Sequence, residues 1–79
     1  MNAILVDIMT EAHTAQAKYG DYASMHEAYG VLAEEVAELF DAIRLRQDNP
    51  ERSTAIAREA IQVAAVAYRV AEQAGRVHR

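Results

Sequence analysis

Three glutamates fall within five positions of this 79-residue chain: Glu34, Glu35 and Glu38, separated only by Val36 and Ala37. On a helix advancing 100° per residue, Glu35 and Glu38 lie about 60° apart on neighbouring turns, so both carboxylates reach one object. Like charges at this spacing repel by roughly 0.2–0.5 kcal/mol on an exposed helix, and by more once water is withdrawn. A cation or a basic partner removes that penalty.

A fourth acid sharpens the pattern. Ile56, Val63, Val66 and Val70 share one helical face, and Glu59 falls at its centre, with Gln62 three positions further on. If the two helices meet along their apolar stripes, Glu35 and Glu38 face Glu59 and Gln62. Three carboxylates and an amide are all oxygen donors, a set that selects hard cations, Mg²⁺ or Mn²⁺. Di-iron bundles use Glu-x-x-His instead, and neither Glu38 nor Gln62 is a histidine. Two plainer readings compete: a solvated acidic face for Glu34, Glu35 and Glu38, and neutralisation of the acids by Arg44, Arg58 or Arg69.

The elements that must position these residues are helical. Ile4, Leu5, Ile8, Met9, Ala12, Ala15 and Tyr19 recur at three- and four-residue spacing, which predicts a first helix over about residues 3–19, ended by Gly20. Ser24 with Glu27 forms a capping-box pattern opening a second helix over about 25–47. Its main apolar stripe is Tyr29, Leu32, Val36, Leu39, Phe40 and Ile43, with Ala28, Val31, Glu35, Glu38, Ala42 and Leu45 on an adjoining line. Asn49 as cap and Pro50 at the first helical position start a third helix over about 50–74, with Gly75 as its stop and Arg76 to Arg79 as a frayed tail. Ile61, Ala65 and Tyr68 form a second apolar side on that helix, which therefore wants partners on both flanks.

Composition narrows the function classes. A single all-α domain over residues 1–79 is expected, and a lone fold of this size buries only about 60% of its unfolded surface. The hydrophobic fraction of 52% is largely alanine, with one Phe and no Trp. Both points favour a three-helix chain that completes a four-helix bundle by self-association. A net charge of −4 without a Lys/Arg stripe argues against nucleic acid as a partner. There are no cysteines, and the apolar run from Ala3 to Val6 is too short for a membrane span, so a soluble cytoplasmic protein is expected. His26 reads as a residue of the capping region, His13 and His78 carry no stronger signal, and Tyr19, Tyr22 and Tyr29 read as core edges or as a surface for stacking a base.

Glu34-Glu35-x-x-Glu38 followed by Glu59-x-x-Gln62 resembles the EExxE and ExxD signature of the MazG-like all-α nucleoside triphosphate pyrophosphohydrolases, in a compact phage and bacterial form. The likeness covers most of the chain, including His26 to Tyr29 and Glu59 to Ala65. It implies a helical bundle forming a homodimer or homotetramer, and Mg²⁺-dependent cleavage of NTP or dNTP to the monophosphate and pyrophosphate. Carried over by residue, it makes Glu35, Glu38, Glu59 and Gln62 the metal-ligand positions, with Glu34 a supporting acid; Glu34 or Glu38 could take a proton through water. Lys18, Arg58 and Arg69 are the basic residues available for the pyrophosphate end. The chain departs from the signature at Gln62, where the family has Asp: a neutral side chain offers one carbonyl oxygen and no charge. A weakened nucleotide-binding or protein-interaction oligomer is the rival reading.

Overall fold

The computed structural model describes residues 2–77, apart from the side chain of Val77, and contains three α-helices and no strand among them. Helix α1 spans Ala3–Tyr19, α2 spans Met25–Ile43 and α3 spans Arg52–Val77. Helix α3 is the spine: α1 packs on one flank and α2 on the other, and α1 and α2 do not pack on each other. The two apolar sides expected on α3 are thus both occupied.

The helix starts follow local chemistry. Asn2, which the periodicity does not flag, caps α1 by accepting from the Leu5 N–H at 2.9 Å. Ser24 accepts from the Glu27 N–H at 3.0 Å while Glu27 reaches back to the Ala23 N–H at 3.1 Å, a capping box displaced by one residue. Gly20 stops α1 with φ of 73° and ψ of −161°, a conformation open essentially to glycine alone.

Three boundaries differ from expectation. Helix α2 stops at Ile43 rather than near Gln47, because Arg52 donates from Nε and Nη2 to the Ile43 carbonyl, at 3.2 and 2.9 Å. The chain thereby satisfies an orphan carbonyl from outside the helix. Asn49 does cap, accepting from the Glu51 N–H at 2.8 Å, but Pro50 lies in the turn and the regular helix begins at Arg52. Gly75 does not stop α3, and Arg76 and Val77 remain helical. A mid-helix glycine costs about 1 kcal/mol; contacts from Arg76, Gln73 and Arg69 to the α1–α2 loop offset it. His78 and Arg79 lie outside the described residues.

The larger correction concerns which side of α2 meets α3. The line around Ala28, Val31 and Ala42 faces inward, with Ala28 fully buried and Val66 of α3 beside it. The stripe expected to form the core is split: Leu32 packs against that core and Leu39 is part-buried, whereas Tyr29 is 73% exposed, Phe40 57% and Val36 47%, with Ile43, and Met25 outside the stripe, also exposed. Small side chains let the two helix backbones approach closely, and the closest approach wins over the greasier stripe. Ala12, Tyr22, Ala55 and Ala65 complete the buried apolar set, and no large side chain is fully buried.

Candidate metal centre

The inward line of α2 brings Glu35 and Glu38 to Glu59 of α3. One carboxylate oxygen from each lies within 4.8 Å of the other two. Glu35 and Glu59 are part-buried and Glu38 is exposed, so the group opens to solvent on one side. Glu34 is exposed and stands outside this group, although its charge reaches Glu35. Gln62 is part-buried and lines the cleft that also includes Glu35. Glu35, Glu38 and Glu59 of the sequence-predicted ligands therefore come together, while Gln62 shares a cleft with Glu35 and Glu34 stands at the margin.

Helical register explains why they meet. Ala28, Val31, Glu35, Glu38 and Ala42 descend one side of α2 at three- and four-residue steps, and Ala55, Glu59, Gln62 and Val66 do the same on α3. Packing small residue against small residue sets the acids opposite one another.

The electrostatics are unfavourable for the bare protein. Glu35 is held above the ordinary carboxylate range, first by burial and then by the charges of Glu38 and Glu59, with further contributions from the Glu38 carboxyl as a hydrogen-bonding neighbour and the charge of Glu34. Its Oε2 atom is buried without a hydrogen-bond partner among the described residues. A buried carboxylate oxygen without a partner, on a residue grouped with two other carboxylates, is a fit for a hard cation, which would supply the missing partner.

Of the three arginines considered as neutralisers, Arg58 alone reaches the acids, as a surface pair with Glu59. Arg44 pairs with Asp41 at 3.9 Å on the surface. Arg58 approaches Glu59 at 3.7 Å through a side chain that is 63% exposed, a contact worth little in water. Arg69 is committed elsewhere, to Gln16 Oε1 at 3.2 Å, the Tyr22 hydroxyl at 2.9 Å and the Gly20 carbonyl at 3.1 Å.

Beside the acids runs a cleft of about 600 Å³ between α1, the α1–α2 loop and α3, reaching from Glu35 and Gln62 to Lys18, Tyr22 and Arg69. A ladder on α3 fixes its loop wall: Arg69 as above, Gln73 exchanging hydrogen bonds with the Tyr22 N–H and carbonyl at 2.9 Å each, and Arg76 gripping Asp21 with two at 3.0 and 2.8 Å. Arg76 holds the Asp21 carboxyl below its usual range, with Gln16 assisting. Burial pushes the Tyr22 phenol up; Arg69 opposes this, while Glu35 and Glu27 add to it.

Sequence reasoning missed the ladder. Its signal was present as Arg69, Gln73 and Arg76 at helical spacing, but the loop they hold could not be placed without the fold. The three tyrosines do not form one surface: Tyr22 is buried, whereas Tyr19 and Tyr29 are exposed. His26 is exposed in the first turn of α2, and His13 packs edge-on against Tyr68.

No helix among the described residues is long and apolar enough to cross a membrane. No family model, curated protein or solved structure matches the chain.

Proposed function

We propose that the protein is a Mg²⁺-dependent nucleoside triphosphate pyrophosphohydrolase of the MazG-like kind, converting NTP or dNTP to the monophosphate and pyrophosphate. The observation that carries this reading is the grouping of Glu35, Glu38 and Glu59, with one buried oxygen of Glu35 left unpartnered. Glu35, Glu38 and Glu59 would hold the metal, Mg²⁺ in preference to Mn²⁺, with the Gln62 carbonyl as a neutral fourth donor. The bound metal supplies charge reversal, so that a polyphosphate can enter an acidic site, and it acidifies an attacking water.

The chain's own groups have distinct parts. Glu35 is the desolvated donor whose charge is unfavourable until it is compensated. Glu38 and Glu34 are the exposed carboxylates of the motif, placed to accept a proton through solvent. The cleft leading to Lys18 and Arg69, about 600 Å³ and also lined by Glu11, Asp21 and Glu27, would take the rest of the nucleotide.

Self-association belongs to the same reading. The surface of 5717 Å² exceeds, by roughly 1,000 Å², the about 4,700 Å² expected of a compact monomer of this mass. A standard interface takes about 800 Å² from each partner. The outward residues Met25, Tyr29, Val36, Phe40 and Ile43 are apolar, with Arg44 over the Phe40 ring, and would let two copies pair along this side of α2 to build the four-helix bundle.

A second reading is favoured by Gln62: a helical oligomer that binds nucleotides without turning them over. The deciding experiment is a panel of canonical and modified NTPs and dNTPs with Mg²⁺. Release of pyrophosphate supports the hydrolase. Calorimetric binding without release from any member supports the alternative, and neither binding nor release removes both.

A further inference from the structure

Arg69 is the buried charge of this fold, at 7% exposure, and it has no carboxylate within ion-pair distance among the described residues. A guanidinium taken out of water without a counter-ion is costly. Its three hydrogen bonds go to neutral acceptors: an amide oxygen, a phenol and a peptide carbonyl. Five N–H donors are available to an arginine, so two remain without a partner among the described residues.

Stacking of the guanidinium on the Tyr22 ring, 4.6 Å from its centroid, fixes the fork in place without neutralising it. Tyr22 and Gly20 belong to the loop that Gln73 and Arg76 also hold, so the fork is positioned from several sides. The guanidinium lines the same cleft as Glu35 and Gln62. Gln62, Val66 and Arg69 lie at four- and three-residue steps on one side of α3, and helical side chains lean toward the N-terminus, which here means toward Gln62.

We propose that Arg69 is the anion-recognition residue of the cleft, its remaining N–H donors taking a phosphate oxygen of a polyphosphate ligand, beside the acids Glu35, Glu38 and Glu59 that would hold a divalent cation. The proposal rests on the cation reading of the acidic triad, and it selects Arg69 over Lys18 and Arg58. Lys18 is on an exposed rim position with its ammonium over the Tyr19 ring, and Arg58, which shares a groove with Glu38 and Glu59, is an exposed side chain already turned to Glu59 at 3.7 Å and does not line the cleft of Glu35 and Tyr22. A planar fork held by three acceptors recognises phosphate oxygens with less ordering cost than either.

The test is calorimetric titration of inorganic pyrophosphate into the metal-loaded protein. Arg69→Lys keeps the charge and loses the fork; it should weaken pyrophosphate about tenfold, and Arg69→Gln about a hundredfold. Stabilisation by Mg²⁺ alone should be unchanged in both. Tyr22→Phe removes the same hydrogen bond to the loop but leaves the charge, and it should keep pyrophosphate affinity within about threefold, a small part of a hydrogen bond's worth. Should Arg69→Gln fail to fold, Arg69→Lys and Tyr22→Phe decide between them. Wild-type affinity in Arg69→Lys and Arg69→Gln, or an equal loss in Tyr22→Phe and the Arg69 variants, overturns the proposal. Binding through Arg69 without turnover of any nucleotide defeats the hydrolase reading and leaves this one standing; turnover with no effect of Arg69 on pyrophosphate does the reverse.

Discussion

Replacing Glu35 with glutamine should make the metal-free protein more stable, which is the reverse of what most substitutions in a packed helix do. Glu35→Gln keeps the shape and helix propensity of the side chain and removes one charge from a group whose oxygens lie within 4.8 Å. Two unit charges at about this distance repel by ~1 kcal/mol in water and by ~4 kcal/mol at an effective dielectric of 20. Exposed Glu38 and the screening it brings place the pair energies at the lower end, so relief from the Glu38 and Glu59 charges together is about 1–2 kcal/mol. For a domain of this size each kcal/mol moves the thermal midpoint by roughly 4–8 °C. The assay is thermal unfolding in chelator near neutral pH at fixed protein concentration, repeated with saturating Mg²⁺.

The pH dependence follows with a definite sign. Glu35 binds its proton more tightly folded than unfolded, so its contribution to the stability of the metal-free wild type is fully present below the ordinary carboxylate range. It loses stability as pH rises from the unfolded value to the raised folded one. Glu35→Gln should flatten that loss and also abolish the gain from Mg²⁺. A variant less stable than wild type in chelator, or one that Mg²⁺ still stabilises fully, would refute the electrostatic account of the cluster.

Other consequences are separately measurable. Gln73→Ala removes both hydrogen bonds that hold Tyr22 and should cost about 1–3 kcal/mol in denaturant unfolding, with faster amide exchange confined to the loop at residues 20–24. Asp21 acts oppositely to Glu35: its lowered pKa gives stability that is present above the ordinary carboxylate range and lost as pH falls, so Asp21→Asn should flatten the acid limb of the stability profile. Gly30→Ala should stabilise by about 0.5–1 kcal/mol, because the residue lies within α2 and an added Cβ meets nothing within 4 Å. Phe40→Glu should shift the sedimentation profile toward monomer while leaving the helical circular dichroism intact; an unchanged oligomer, or a monomeric wild type, would count against pairing through the outward stripe.

Helix number and the acidic residues were legible in the sequence because both are local. Periodicity fixes which residues lie on a helix and puts Glu35 and Glu38 on one face, whereas their meeting with Glu59 was expected from contact between the apolar stripes and comes instead through the line of Ala28 and Ala42. Ser24 and Glu27 announced the start of α2 by the same kind of local rule. The packing face of α2 was not legible, since hydrophobicity favours the stripe through Tyr29 and Phe40, whereas close approach favours Ala28 and Ala42. Composition gave no means of weighing one against the other. Helix ends failed where a distant side chain intervened: Arg52 on the Ile43 carbonyl shortens α2, and the Arg76 grip on Asp21 carries α3 past Gly75. Arg69 was visible only as one basic residue among several until its burial and neutral partners set it apart.

The central claim is that Glu35, Glu38 and Glu59 form a cation site at which a nucleoside triphosphate is cleaved. It is met most directly by measuring pyrophosphate release with Mg²⁺ from the nucleotide panel by the wild type and Glu59→Gln side by side. The account predicts release by the wild type that needs the divalent ion and falls at least about a hundredfold in the variant, the scale of losing a charged group from a reaction centre. No release by the wild type, or equal release by both proteins, would contradict it.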